Sequence, residues 1–204
     1  FDYLIAAGEK LSGARYGSSE QVTRALRAMA HPLRLDLIEL LGSRGPLTAA
    51  ECARHLDSTQ ARCSYHLRHL AKYGFVEPAD AGDDARERPW RITDIEQRWS
   101  DADHGPAAAE LDRVFVQREA DRILAWQATA RDQPSEWVDS SFFGGATLPL
   151  TAEEAANLRD ELFAAIAPYV ERLRHRTDWP AEHRFVRVLL AATPSTTEPT
   201  GAQR

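Results

Sequence analysis

Between Ser18 and Thr93 glycines, prolines and small polar residues cut the chain into pieces too short to be more than brief helices and one hairpin. Ser18 with Gln21 three residues on is a capping box and predicts a helix from Ser18 to about Ala30. His31-Pro32 ends it, because the residue before proline is pushed out of the helical region. Leu33, Leu37, Ile38, Leu40 and Leu41 recur at helical spacing, so a second helix is expected from Leu33 to Gly42, stopped by Gly42 and Gly45-Pro46. Thr48-Ala49-Ala50-Glu51 is another capping box and opens a short helix with Ala53 and Leu56 inward. After a break at Asp57-Ser58, Thr59 caps a helix reaching Tyr73, and Gly74 stands where a left-handed residue is wanted. Phe75 to Pro78 and Arg88 to Thr93 read as two strands around a small, polar tip, a β-hairpin.

Helix, helix, short helix, break, helix, hairpin is the order of a winged helix-turn-helix. In that arrangement one helix enters a DNA major groove about 12 Å wide while a short preceding helix braces it. The helix from Thr59 to Tyr73 suits insertion. Cys63, Leu67 and Leu70 fall on one side, while Gln60, Arg62, Ser64, Tyr65, Arg68, His69 and Lys72 occupy the rest, with no acid in the segment. The bland alternative, a solvated surface helix, needs both the missing acids and the hairpin after Gly74 to be coincidences.

Leu26-Arg27-Ala28-Met29-Ala30-His31-Pro32-Leu33-Arg34-Leu35, followed by Leu37-Ile38-Glu39-Leu40-Leu41, resembles the opening helices of ArsR-type bacterial repressors. Ser64-Tyr65-His66-Leu67-Arg68-His69-Leu70-Ala71-Lys72-Tyr73-Gly74-Phe75-Val76-Glu77 is similar to their recognition helix running into the wing. The resemblance covers residues 20–93 and continues more loosely beyond. It implies a homodimer joined by helices outside the reading head, a palindromic double-stranded DNA operator, and release by an effector. On that frame Thr59, Gln60, Arg62, Ser64 and Tyr65 lie toward the leading end of the inserted helix, near base edges, where Gln can pair with adenine and Arg with guanine. Arg68, His69 and Lys72 lie further along; Arg68 and Lys72 are placed on phosphates, with Arg86 and Arg88 of the wing doing the same. Asp80, Asp83 and Asp84 at the wing tip would repel phosphate.

Charge first speaks against such a partner, since the net charge is −6. It is unevenly spread: residues 20–93 carry 11 Lys+Arg against 10 Asp+Glu, and the remainder 14 against 21. A nearly neutral head on an acidic body is compatible with nucleic-acid binding. The same neutrality and the acidic tip favour the competing reading, a winged helix used as a protein-interaction module. Basic charge is almost all arginine, with lysine only at Lys10 and Lys72, which together with many alanines suggests a bacterial source.

Beyond the hairpin, a long helix is expected from Ala107 to about Arg131, carrying Leu111, Val114, Phe115, Ala120, Ile123 and Leu124 and ended by Pro134. Residues 134–150 read as irregular, and Thr151 with Glu154 caps a further helix with Leu158, Leu162, Ile166, Tyr169 and Leu173 on one stripe. Phe185 to Leu190 reads as a strand, and the Pro/Thr/Ser-rich end from Thr193 as a disordered tail. Trp99, Trp126, Trp137, Phe142 and Phe143 are the candidates for an effector pocket, although core and interface packing account for such aromatics more often.

Other chemistry finds little support. Metal-sensing members of the resembled family use paired cysteines before the recognition helix, where this chain has Cys52 alone, or Asp and His on the dimerisation helix. Asp101, Asp103 and His104 precede that helix, and no histidine follows between Leu111 and Arg131, so metal independence and no cofactor are expected. Cys52 and Cys63 could form a redox pair but read better as small buried hydrophobes. No phosphate-binding glycine loop, His-Glu-x-x-His, Cys-x-x-Cys or Gly-x-Ser-x-Gly is present, which argues against an enzyme. Two cysteines, no apolar run of bilayer length and no basic, apolar leader at Phe1 to Ile5 suit a cytoplasmic protein.

The expectation is a mainly α chain: an N-terminal extension (1–19), a winged helix-turn-helix domain with a short β-hairpin wing (20–93), a helical dimerisation and effector region (94–192), and a tail (193–204). Its expected role is transcriptional repression as a homodimer.

Overall fold

Proline at the first turn of a helix and glycine just beyond its end are the two devices that partition this chain. A computed structural model describes residues 19–79, 88–93, 101–173 and 182–194, with backbone alone for Ser19 and 101–104. Four helices come first: α1 (Ser19–Met29), α2 (Pro32–Arg44), α3 (Ala49–His55) and α4 (Gln60–Lys72). Strands β1 (Val76–Pro78) and β2 (Trp90–Ile92) follow, then α5 (Asp101–Thr129), a 3-10 turn (Ala130–Asp132), α6 (Ser135–Asp139) and α7 (Ala152–Glu171). The expected cap at Ser18 lies outside the described residues, as do most of the N-terminal extension and most of the tail.

The helix α2 opens with Pro32 after the cap His31, whose Nδ1 accepts from the Leu33 amide at 3.2 Å. Gly42 does not end it, contrary to expectation; the helix runs on to Arg44 and stops at Gly45, whose φ of 94° only glycine adopts easily. A helical glycine costs about 1 kcal/mol relative to alanine, which burial of the adjoining Leu40 and Leu41 offsets. Thr48 and Glu51 form the expected reciprocal cap: Thr48 Oγ1 accepts from Glu51 N at 3.2 Å and Glu51 Oε2 from Thr48 N at 2.7 Å. Thr59 Oγ1 caps α4 by accepting from Arg62 N at 3.3 Å. Gly74, with φ of 73°, ends the run: its N–H donates to Ala71 O and that of Phe75 to Leu70 O.

The hairpin is antiparallel, pairing Val76 with Ile92, Glu77 with Arg91 and Pro78 with Trp90. Leu47, in the loop before α3, adds a bridge to Trp90 through bonds of 3.0 and 2.8 Å in the two directions. That bridge ties the wing to the entrance of the helix-turn-helix. Thr93 Oγ1 closes the base of the wing by donating to Gly74 O at 2.6 Å. The wing tip, residues 80–87, lies outside the described residues.

One core unites these pieces. Leu26 and Met29 of α1, Leu35, Leu37, Ile38 and Leu41 of α2, Leu67 and Leu70 of α4, and Phe75 are fully buried, and so is Leu111 of α5. Thus α5 belongs to the core of the head and packs along α1. Its regular part begins at Pro106, because Gly105 has a non-helical φ of 48°. Below that apolar contact lies a charged one. Arg118 donates to Asp36 Oδ1 at 2.7 Å and Glu39 Oε2 at 2.6 Å, and Arg122 to Glu39 Oε2 at 2.7 Å. Glu119 takes Arg118 at 2.9 Å and Arg187 at 2.8 Å. Burial alone would raise the pKa of Glu39, but the hydrogen bond from Arg122 and the charges of Arg118, Arg122 and Arg187 hold it below the ordinary carboxylate range.

The C-terminal part departs from expectation in two places. Phe185 to Leu190 form no strand; residues 183–194 have no regular structure, because the segment is held by side chains, Arg187 on Glu119 and Arg184 on Gln133, instead of by a partner strand. Residues 134–150 are irregular except for the short α6. The expected cap of α7 is present, with Thr151 Oγ1 accepting from Glu154 N at 3.2 Å, yet no residue of this helix is buried.

Because Leu67 is fully enclosed at the centre of the head, Leu67→Ala is expected to lower unfolding stability by about 2–5 kcal/mol. Urea denaturation followed by circular dichroism measures this, and a change below 1 kcal/mol would contradict the packing described.

Candidate nucleic-acid interface

The inward face of α4 determines what its outward face can present. Cys63, His66, Leu67 and Leu70 are buried, so helical geometry turns Arg62, Tyr65, Arg68 and Lys72 to solvent as one stripe. Tyr65 is 61% exposed, an aromatic ring left open to solvent in the middle of this stripe. Thr59 and Gln60 are exposed at the leading end, Ser64 and His69 half-buried along the flank of the stripe. Neither Arg62 nor Arg68 takes part in an ion pair among the described residues, and α4 contains no carboxylate. The positive end of the helix dipole points the same way at Thr59. Uncompensated cations and a hydrogen-bonding aromatic on a protruding helix form a surface matched to a polyanion.

α3 lies against α4 across a turn in which Asp57 takes a left-handed φ of 46°. Ser58 N donates to Ala53 O at 3.0 Å, locking the turn. Arg88, at the return of the hairpin, is exposed; Arg86 lies outside the described residues, as do Asp80, Asp83 and Asp84. Arg91 is tied to Glu77 at 2.7 Å and so has its charge matched. Arg54, exposed in the last turn of α3, went unnoticed in the sequence, where a lone arginine at a helix end carries no signal.

Also unforeseen is a histidine pair beneath the recognition helix. His66 projects inward, its ring centroid 4.5 Å from that of His31, the cap of α2. Arg34 lies alongside and donates to Ala28 O. Burial, reinforced by the positive surroundings of His31, Arg34 and Arg62, lowers the pKa of His66 to about 4. In the sequence His66 falls in neither the inward nor the outward set of this helix; its pairing with His31 reveals its place. Tyr65 stacks near His69 at 6.4 Å, and His69 lies 5.4 Å from Tyr73, so the flank of the helix is an aromatic ladder.

The candidate effector aromatics do not form a comparable site. Phe142 and Phe143 are 91% and 79% exposed, Trp126 and Trp137 half-buried, and Trp99 lies outside the described residues. Trp137 instead meets Arg184, which sits 5.1 Å from its ring. The reason is that residues 140–150 run exposed, and among the described residues no element folds over them to make walls. Cys52 and Cys63 are both buried free thiols; burial pushes Cys52 up to about 12 and Cys63 above its ordinary value, so neither is an activated nucleophile. Among the described residues no group of three or more His, Cys, Asp or Glu side chains is placed to hold a metal. The side chains of Asp101, Asp103 and His104 are outside that set. No described helix is long and apolar enough to cross a membrane.

His66 is expected to make the head acid-sensitive. Its folded pKa lies below the unfolded value near 6.5, so the unfolded chain binds the extra proton first and stability falls as pH drops from about 6.5 to about 4. The loss is on the order of 3 kcal/mol. Denaturation midpoints of the parent chain and of His66→Gln across that range measure it, and parallel pH profiles would refute it.

No curated protein matches the chain. Among solved structures, it is similar to the NMR solution structure of the homodimeric winged helix-turn-helix DNA-binding domain (fragment 1–100) of Mb0332 from Mycobacterium bovis, described as a possible ArsR-family transcriptional regulator. The identity is 21%, the match covers 58% of this chain and 89% of that one, and the TM-score is 0.35. Residues 29–79, from the end of α1 to the end of β1, match the family model described as a helix-turn-helix domain. With α3 and α4 meeting across the Asp57 turn and a hairpin closing onto Leu47, the chain carries a helix-turn-helix domain with a two-stranded wing.

Proposed function

We propose that the chain is a sequence-specific, double-stranded-DNA-binding transcriptional regulator that represses by occupying a palindromic operator as a homodimer, independently of metal. The stripe Arg62, Tyr65, Arg68 and Lys72 on an acid-free helix carries this reading. Gln60, Arg62, Ser64 and Tyr65, at or next to the leading end of α4, read base edges, with Thr59 at the cap; Arg68, His69 and Lys72 meet the backbone, joined by Arg88 and Arg86 from the wing. The reading head is taken as 20–93 and the dimerisation and effector region as 94–192. A bacterial cytoplasm is the matching location.

Exposed apolar side chains outside the head support self-association. On α5, Val116 and Leu124 are 57% and 62% exposed, and α7 exposes Leu162 and Tyr169 on its apolar stripe. A C2 interface buries the same patch on both copies, so two such helices suffice for a pair.

Fluorescence anisotropy with the DNA upstream of the chain's own gene, against scrambled DNA and across a salt series, tests the reading. Specific binding that weakens steeply with salt is expected. Arg62→Ala with Arg68→Ala should lower affinity about 10- to 100-fold and flatten the salt slope by about one unit, with the melting temperature unchanged. Retained affinity in the double variant would sink the assignment of α4; equal, weak binding to both DNAs would favour a protein partner instead.

Leu124→Glu with Leu162→Glu is expected to shift the sedimentation coefficient from dimer to monomer without unfolding the head. A parent chain that sediments as a monomer at micromolar concentration would refute the homodimer.

A further inference from the structure

A cleft of about 200 Å3 opens where α2, the C-terminal end of α3, α5 and the 182–194 segment meet. Its charged lining includes Asp36, Glu39 and Arg122, whose charges are matched within the ion-pair network. Arg44 is different. It is exposed, its guanidinium lies 5.3 Å from the Phe185 ring, and among the described residues it joins no carboxylate. Leu40, Leu56 and Phe185 provide apolar wall. One uncommitted cation beside three apolar side chains selects a ligand with one anionic head and a small apolar body. The volume is below the roughly 300–1,000 Å3 of drug-sized sites, so that body is small.

We propose that this cleft binds a small apolar carboxylic acid, its carboxylate on Arg44 and its body against Leu40, Leu56 and Phe185, and that occupancy alters DNA binding. Only the second half rests on the DNA-binding reading above. The coupling is short. Leu56 caps α3 and adjoins Asp57, whose left-handed turn sets α4 against α3. A ligand seated against Leu56 therefore bears on the joint that aims the basic stripe. His55, also in the lining, completes the wall on the α3 side.

Sodium benzoate titrated into the full chain, followed by amide shifts, tests the site, with benzyl alcohol as the uncharged comparison. Saturable shifts centred on Arg44, Leu56 and Phe185 are expected, with Kd of about 10 mM or tighter for a probe of this size. Benzyl alcohol, Arg44→Gln and Phe185→Ala should each weaken binding about tenfold or more, at unchanged melting temperature for the two variants. Shifts that fail to saturate or fall elsewhere, or full benzoate affinity in Arg44→Gln, would overturn the site. Should either variant fail to fold, the other variant and benzyl alcohol decide. Anisotropy on the same samples separates the two readings. A change in DNA affinity on saturation with benzoate supports the coupling and an unchanged affinity overturns it. Benzoate binding with no DNA binding in any condition sinks the DNA reading and leaves the cleft; DNA binding without benzoate binding sinks the cleft alone.

Discussion

The enclosure of Cys63, His66, Leu67 and Leu70 fixes the rotation of α4 about its own axis, and the rest of the molecule is arranged around that choice. A rotation by one residue position, about 100°, would carry Arg68 into the enclosed place of Leu67 and turn His66 out to solvent. Burying an unpaired guanidinium is far more costly than any contact it could gain. The apolar face thus selects the polar one: Arg62, Tyr65, Arg68 and Lys72 protrude because their neighbours are committed to α1, α2 and Phe75. Gly74 and the Leu47–Trp90 bridge then set where the wing stands beside that stripe.

The head was legible in the sequence because its signals are local. Thr48 with Glu51, Thr59 before α4 and Gly74 after it act within one helical turn, and each does in the structure what its residue type dictates. Gly42 shows the limit of such reasoning: a breaker that follows two leucines the core requires is carried through the helix. The apolar run at Phe185 misled for a related reason. Such a run suggests a strand, but a strand needs an edge to pair with, and here the segment meets the side-chain faces of α2 and α5. His66 was hidden because its burial depends on His31, thirty-five positions earlier, so the pair has no local signature.

The candidate sites divide along the same line. The solvent-facing residues of α4 follow from helical periodicity once the buried face is known, and periodicity is written in the sequence. The proposed ligand cleft is a space between elements, and its walls come from α2, α3, α5 and a distant irregular segment. Aromatic content pointed to Trp99, Trp126, Trp137, Phe142 and Phe143, of which Phe142 and Phe143 stand open to solvent among the described residues. Concavity is a property of the assembled chain and leaves no composition behind.

The cluster of Asp36, Glu39, Glu119, Arg118, Arg122 and Arg187 balances three anions with three cations where the head meets the long helix and the C-terminal segment. Arg118 and Glu119 are nearly dry, with side chains 6% and 2% exposed. Removing Arg118 or Glu119 alone leaves the other's charge in surroundings that hydrate it poorly, a loss of about 3–5 kcal/mol for a buried pair. Replacing an anion and a cation together leaves no such surplus. The joint between the head and the long helix therefore tolerates a change at Arg118 or Glu119 best when the opposite charge changes with it.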